Sequence, residues 1–235
     1  MILIKEAIIL AGGLGTRLRS AVPDLPKCMA PVAGRPFIAY VIDYYRSQGI
    51  TSFIFSLGYK HERIAEYISA AYPGLSHQCV IEEEPLGTGG AIRRSCETAS
   101  GQNVMVLNGD TFFKVDIRSM SRFHQDKEAD CTLALKPMIN SDRYGIVETH
   151  PDHSIRSFRE KQFYAKSLVN GGVYLLNTQQ FLKEGLPQKF SFEKDYLEAL
   201  FAERKIYGFI QDVYFIDIGI PEDFRKAQHE LPENL

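Results

Sequence analysis

Along the chain, short unbroken apolar runs alternate with segments whose apolar residues recur every three or four positions. Ala7-Ile8-Ile9-Leu10 has no polar alternation, so it predicts a strand buried on both faces. Phe37 to Gly49 has helical spacing and stops at a glycine, and the β-branched and aromatic run from Thr51 to Leu57 predicts the next strand. His61 to Tyr72 is a second amphipathic segment, ending before Pro73-Gly74; Cys79-Val80-Ile81 is a short strand, Gly89 to Ala99 a helix, and Gln102 to Leu107 a buried strand. A strand follows Asp130, and Tyr144 to Glu148 and Ile155 to Phe158 flank His150-Pro151-Asp152-His153 as a hairpin. Val213 to Ile216 is a strand, and Pro221-Glu222-Asp223-Phe224 is a good first helical turn. Strands alternating with helices predict an α/β protein: a Rossmann-like three-layer αβα arrangement around a mixed, mostly parallel sheet, with ligands at the carboxyl ends of the strands.

Three motifs stand at those ends. The first run breaks at Gly12-Gly13-Leu14-Gly15-Thr16, a loop with few side chains whose N–H groups can approach phosphate, and Arg17 and Lys27 add cations suited to a polyanion. It is neither a dinucleotide fingerprint, since Leu18 stands where the third glycine belongs, nor a P-loop, since Thr16-Arg17 follows Gly15. Taken alone it also fits a purely structural turn. The second motif is Pro85-Leu86-Gly87-Thr88-Gly89-Gly90-Ala91. Its proline stops the strand, its glycines suit a flat ligand, and Thr88 is either a helix cap or a hydroxyl offered to a nucleotide. The preceding Glu82, Glu83 and Glu84 read as solvated, although a carboxylate near a base can accept from the N1–H and N2–H of guanine. In the third, Asn108-Gly109-Asp110, an aspartate after a buried strand suits a hard cation beside phosphates, or else a simple turn. Phe215-Ile216-Asp217-Ile218-Gly219 repeats the order of strand, aspartate and glycine.

Composition narrows the field. The 235 residues, 45% of them hydrophobic, fit a single domain, and a net charge of −2 provides no basic field for nucleic acid. No apolar run spans a bilayer, and Lys5-Glu6 interrupts the apolar start, which reads as a cytoplasmic strand and not a leader. Cysteines 28, 79, 96 and 131 are scattered, against a zinc site or disulfide frame, and His61, His77, His124, His150, His153 and His229 read as surface or helix residues without a metal role. Tyr40, Tyr44 and Tyr45 fit a core face or a dimer surface, so monomer and homodimer both stay open.

Leu10-Ala11-Gly12-Gly13-Leu14-Gly15-Thr16-Arg17-Leu18, then Pro26-Lys27 and Pro31, resembles the signature of the sugar-1-phosphate nucleotidylyltransferases. Cys28 departs from it where a second proline is frequent. The resemblance implies the nucleotide-diphospho-sugar transferase fold, a nucleoside triphosphate and a sugar 1-phosphate as substrates, Mg²⁺ as cofactor and pyrophosphate as product. It implies Arg17 on the leaving β- and γ-phosphates and Lys27 on the α-phosphate. Leu10, Ala11, Gly12, Gly13, Gly15 and Thr16, with Pro85, Gly87, Thr88 and Gly89, would hold the nucleotide, and Asp110 and Asp217 the metal. Asn108, Gly145, Glu160, Lys161, Asn170 and Gly171 would hold the sugar phosphate, although Glu160-Lys161 alone reads as a solvated ion pair. The nucleotide half would run to about residue 115 and the sugar-phosphate half from about 116 to 235. Leu107-Asn108-Gly109-Asp110, Asn170-Gly171-Gly172-Val173-Tyr174 and Phe215-Ile216-Asp217-Ile218-Gly219, with the second motif, are similar to the branch of bacterial D-glycero-α-D-manno-heptose 1-phosphate guanylyltransferases. That branch uses GTP and makes GDP-heptose for surface glycans. Mannose 1-phosphate with GTP, or glucose 1-phosphate with UTP or dTTP, are alternatives within the class. A silent sugar-nucleotide sensor would lack a cation or an aspartate, and a glycosyltransferase would show a compact D-x-D that Asp110-Thr111-Phe112 does not supply.

Overall fold

A computed structural model describes residues 4–13, 15, 18, 22–141, 144–160 and 162–234. In the first half, β1 (Glu6–Ala11) leads to the small hairpin β2 (Pro31–Val32) and β3 (Arg35–Pro36). Then follow α1 (Phe37–Ser47), β4 (Ser52–Leu57), α2 (His61–Ala71), β5 (Ser76–Ile81), α3 (Gly87–Cys96) and β6 (Asn103–Asn108). The second half holds β7 (Thr111–Phe113), α4 (Ile117–Asp126), β8 (Cys131–Ser141), β9 (Ile146–Thr149), β10 (Ile155–Arg159) and β11 (Tyr164–Asn177). It closes with α5 (Thr178–Leu182), a π-helical segment at Phe192–Glu198, β12 (Ile206–Ile210), β13 (Phe215–Asp217) and α6 (Pro221–Glu233).

The central sheet is mixed. Strands β5, β4, β1 and β6 run parallel side by side. Strand β11 then lies antiparallel to β6, β8 and β9, and β12 returns parallel to β8. The apolar run of β1 is continuous because both of its faces are covered. Ala7 and Ile9 join Phe53, Phe55, Met105 and Leu107 in a core shared with α1 and α2, while Ile8, Ile54, Val104 and Val106 point to the other face, into a core with α3, α5 and the π-helical segment. Each fully buried side chain of this size contributes roughly 1.5–3 kcal/mol, so a polar residue at either set of positions would be costly. Tyr40 and Tyr45 are core residues, with the Tyr45 hydroxyl donating to the Phe113 carbonyl at 2.9 Å. His124, read from sequence only as a surface or helix residue, is buried in α4 because Thr132 Oγ1 at 2.8 Å and Asn103 Oδ1 at 3.1 Å satisfy both ring nitrogens.

Two boundaries differ informatively from those the periodicity predicts. Strand β5 begins at Ser76 because its polar first half is paired with β4 from Ser52↔Ser76 onward, a half-exposed segment without an apolar pattern to read. Helix α3 begins two residues early, at Gly87, where contacts with residues distant in sequence seat its first turn. Outside the main sheet, β13 pairs antiparallel with β7, setting Asp217 opposite Thr111.

Candidate active site

The loops after β1, β4 and β5 converge. An added Cβ on Gly58 would lie 2.7 Å from the Gly12 carbonyl oxygen, and one on Gly12 would lie 3.1 Å from Glu82 Oε1 and 3.3 Å from the Gly58 nitrogen. Only glycines let these backbones come so close. Beside them, at the carboxyl ends of the parallel strands, opens a cavity of about 770 Å³. Leu10, Ala11, Gly12, Gly13 and Gly15 form one wall, and Pro85, Gly87 and Thr88 another. Lys27, Asn108, Asp110 and Gly219 close its polar end.

Lys27 opens a single 3₁₀ turn, Lys27–Met29, fixed by hydrogen bonds from Met29 N to Pro26 O at 2.8 Å and from Ala30 N to Lys27 O at 3.0 Å. The next residue, Cys28, is buried and anchors the turn in the core, a job that a second proline is not needed for. Burial, with help from the charge of Asp110, pushes its thiol up to about 12, so it is a packing residue and not a nucleophile. The Lys27 ammonium is ion-paired with Asp110 Oδ2 and lies 3.9 Å from Asp217 Oδ1. The pairing of β13 with β7 produces this meeting, reinforced by Ile218 N donating to Asp110 O at 3.0 Å. Asp217 Oδ1 also accepts from Gly219 N at 2.6 Å. Two carboxylates 107 positions apart in the chain thus share one cation. Among the described residues, no group of three or more His, Cys, Asp or Glu is placed to hold a metal ion.

The glycines of the second motif do not all face the cavity. Gly89 and Gly90 are buried against the segment before the π-helix: Cβ atoms there would lie 2.2 Å from the Phe190 ring and 2.4 Å from the Gln188 carbonyl oxygen. Gly89 N donates to Phe190 O at 3.0 Å, and Thr88 Oγ1 donates to Glu193 Oε2 at 2.6 Å while accepting from Phe192 N at 2.9 Å. The Thr88 hydroxyl is therefore a tether between α3 and the π-helical segment, and neither a free group nor a cap of its own helix. Of the three consecutive glutamates, Glu83, which also borders the cavity, and Glu84 are exposed, as expected of solvated side chains. Glu82 is not. It is half-buried in the cavity wall, accepting from Leu86 N at 3.0 Å and from Ser56 Oγ at 3.3 Å.

On the expected sugar-phosphate side, Asn170 and Gly171 lie in an irregular stretch of β11, where the pairing with β8 shifts between Asn170 and Tyr174. Asn170 holds that shape by accepting from Gly172 N at 3.0 Å and donating to the Tyr174 hydroxyl at 2.9 Å. Its apex abuts the cavity-lining Asn108, whose Nδ2 would lie 2.5 Å from a Cβ on Gly172. Gly145 and Glu160 are exposed beside β9 and β10 and are not among the cavity's lining residues. Thr16, Arg17 and Lys161 lie outside the described residues. Sequence reading missed Ser56, Gly58, Tyr59 and His61, which line the cavity from the end of β4 to the start of α2. The signal was present: Gly58 follows a buried strand just as Gly12 and Gly109 do.

A cavity at the carboxyl ends of parallel strands, walled by a glycine loop and carrying one lysine between two aspartates, defines a class of enzyme. The chain belongs to the nucleotidyl transferase family, which it matches over residues 6–234. It is 53% identical to the D-glycero-alpha-D-manno-heptose 1-phosphate guanylyltransferase of Aneurinibacillus thermoaerophilus, over 96% of this chain and 98% of that one. The enzyme of the same description from Campylobacter jejuni is 43% identical over 93% and 96% of the two chains. Among solved structures, HddC from Yersinia pseudotuberculosis complexed with GMP-PN superposes with a TM-score of 0.86 at 34% identity, covering 97% of this chain and 99% of that one. The inositol-1-phosphate CTP transferase of T. maritima shares the fold at 19% identity and a TM-score of 0.82. Among the described residues, no helix is long and apolar enough to cross a membrane.

Proposed function

We propose that the protein transfers GMP from GTP to D-glycero-α-D-manno-heptose 1-phosphate, giving GDP-heptose and pyrophosphate. The meeting of Lys27, Asp110 and Asp217 at the polar end of the glycine-walled cavity supports the reaction, and the 53% identity to a heptose 1-phosphate guanylyltransferase over 96% of the chain supports the substrates. Residues to about 115 mainly serve the nucleotide and those from about 116 mainly the sugar phosphate, with Asp217 and Gly219 returning to the nucleotide's cation site. A sugar phosphate is already largely dianionic near neutrality, with a second pKa of about 6, so its oxygen can attack the α-phosphorus without a general base. A new P–O bond forms as the bond to the β-phosphate breaks, and pyrophosphate leaves with the electron pair. The protein's task is to bring two anions into line and to neutralise the charge that develops.

Lys27 suits the α-phosphate because its turn is anchored by buried neighbours while its ammonium reaches the cavity. Family resemblance assigns Arg17 to the leaving phosphates and Lys161, with Glu160, to the sugar phosphate. The cavity-wall carboxylate of Glu82 is the group best suited to guanine, since a carboxylate retains acceptor sites after two hydrogen bonds and guanine presents adjacent N1–H and N2–H donors. Asp110 and Asp217 supply the hard oxygen donors that Mg²⁺ prefers, and the Lys27 ammonium already stands in their seat as a cation. When bound, Mg²⁺ would screen the triphosphate and stabilise charge on the leaving pyrophosphate.

Pyrophosphate release from a panel of nucleoside triphosphates and sugar 1-phosphates tests the proposal. The highest kcat/KM is expected for GTP with the heptose substrate. Preference for mannose 1-phosphate, or for UTP or dTTP, would overturn the substrate assignment and leave the reaction class standing.

A further inference from the structure

The Lys27 side chain reaches the cavity's polar end but is the most enclosed of the three: it is 11% exposed, against 33% for Asp110 and 24% for Asp217. Gly219 completes the enclosure, because a Cβ there would lie 3.1 Å from Lys27 Nζ and 2.8 Å from Asp217 Oδ1. Two carboxylates this near each other repel unless positive charge stands between them, and among the described residues Lys27 places such a charge within reach of both.

We propose that Lys27 is a resident counterion that a divalent cation must displace, so that metal and ammonium exchange places when nucleotide binds. The inference rests on the proposed metal role of Asp110 and Asp217 and adds to it a competitor built into the chain. Lysine suits such an exchange, being a point charge on a flexible four-carbon stem. The anchored turn fixes its Cα, while the stem can swing the ammonium toward the cavity. Without nucleotide, the displaced ammonium would leave two carboxylates for no compensating anion, which opposes metal entry. With a triphosphate present, the α-phosphate becomes its new partner. Metal and nucleotide binding are thereby coupled, and each strengthens the other by the same factor.

Manganese binding to the nucleotide-free full-length protein, followed by the electron paramagnetic resonance of free Mn²⁺, tests the exchange without turnover. Removing the competitor should raise the competent fraction of sites, so Lys27→Met is expected to bind Mn²⁺ about tenfold more tightly or better than the parent chain. The gain should vanish in Lys27→Met/Asp110→Asn. Equal or weaker Mn²⁺ binding by a folded Lys27→Met protein, judged by circular dichroism, would overturn the exchange. Should Lys27→Met fail to fold, acylation of the Lys27 amine in the parent chain decides instead. Labelling of its peptide, measured by mass spectrometry against that of Lys194, should rise at saturating Mn²⁺, and an unchanged ratio overturns the proposal. If Mn²⁺ binding with a GTP analogue present is unaffected by Asp110→Asn, the metal assignment falls and the exchange falls with it. If that binding depends on Asp110 while Lys27→Met changes nothing, the exchange alone fails.

Discussion

Lys27, Asp110 and Glu82 each act through charge delivered to a defined point, and their substitutions should be separable. Asp110→Asn keeps the shape of the site but removes a formal charge paired with Lys27. It is expected to lower kcat by about 10²–10³, the scale seen when one preorganised electrostatic contact is lost. Pyrophosphate assays on the folded variant check this, and near-normal turnover would refute the role. Glu82→Gln replaces an oxygen acceptor with a donor in the cavity wall. We expect it to raise the KM for GTP about tenfold or more while sparing the KM for the sugar phosphate, the size of about one charged hydrogen bond. Parallel increases in both constants would argue against base recognition.

At the scale of elements, α3 depends on what it is seated against. A methyl group at Gly90 would lie 2.4 Å from the Gln188 carbonyl oxygen and 2.8 Å from the Leu86 Cβ. Gly90→Ala is therefore expected to destabilise the protein by about 1–3 kcal/mol through overpacking, readable as a lower urea midpoint. A midpoint unchanged from the parent chain would mean that the segment moves aside freely. This seat also marks where sequence ceases to speak. The buried strands β1, β4 and β6 were legible because two-sided burial leaves an unbroken apolar run, and Asp110 was legible because it directly follows one. Nothing local announces that Gly89 and Gly90 accommodate Phe190 and Gln188, about 100 residues away, or that Thr88 is engaged by Glu193. Glu82 is indistinguishable in sequence from Glu83 and Glu84; only the approach of Ser56 and Leu86 separates them.

For the whole molecule, stability should fall on the acid side through His124. Burial holds its imidazole at about 4, below the ordinary 6.5. The unfolded chain therefore binds more protons between those values, and stability present above pH 6.5 is lost progressively as the pH falls toward 4. The loss amounts to about 3 kcal/mol by the end of that window. Urea unfolding as a function of pH should show this slope, and His124→Gln should flatten it. An identical slope in the variant would assign the acid sensitivity to other groups.

The joining of β13 to β7 also has a consequence for time. Strands β1, β4 and β5 pair between positions 46 or fewer residues apart, from Glu6↔Ser52 and Ser52↔Ser76 onward, whereas the two aspartates meet only after a loop of more than a hundred residues has closed, which is a slow class of event. In a refolding time course, far-ultraviolet ellipticity should recover first and catalytic turnover last. A late-stage misfolded molecule would then look native to most spectroscopic probes while being inert, and only an enzymatic clock would tell the two apart.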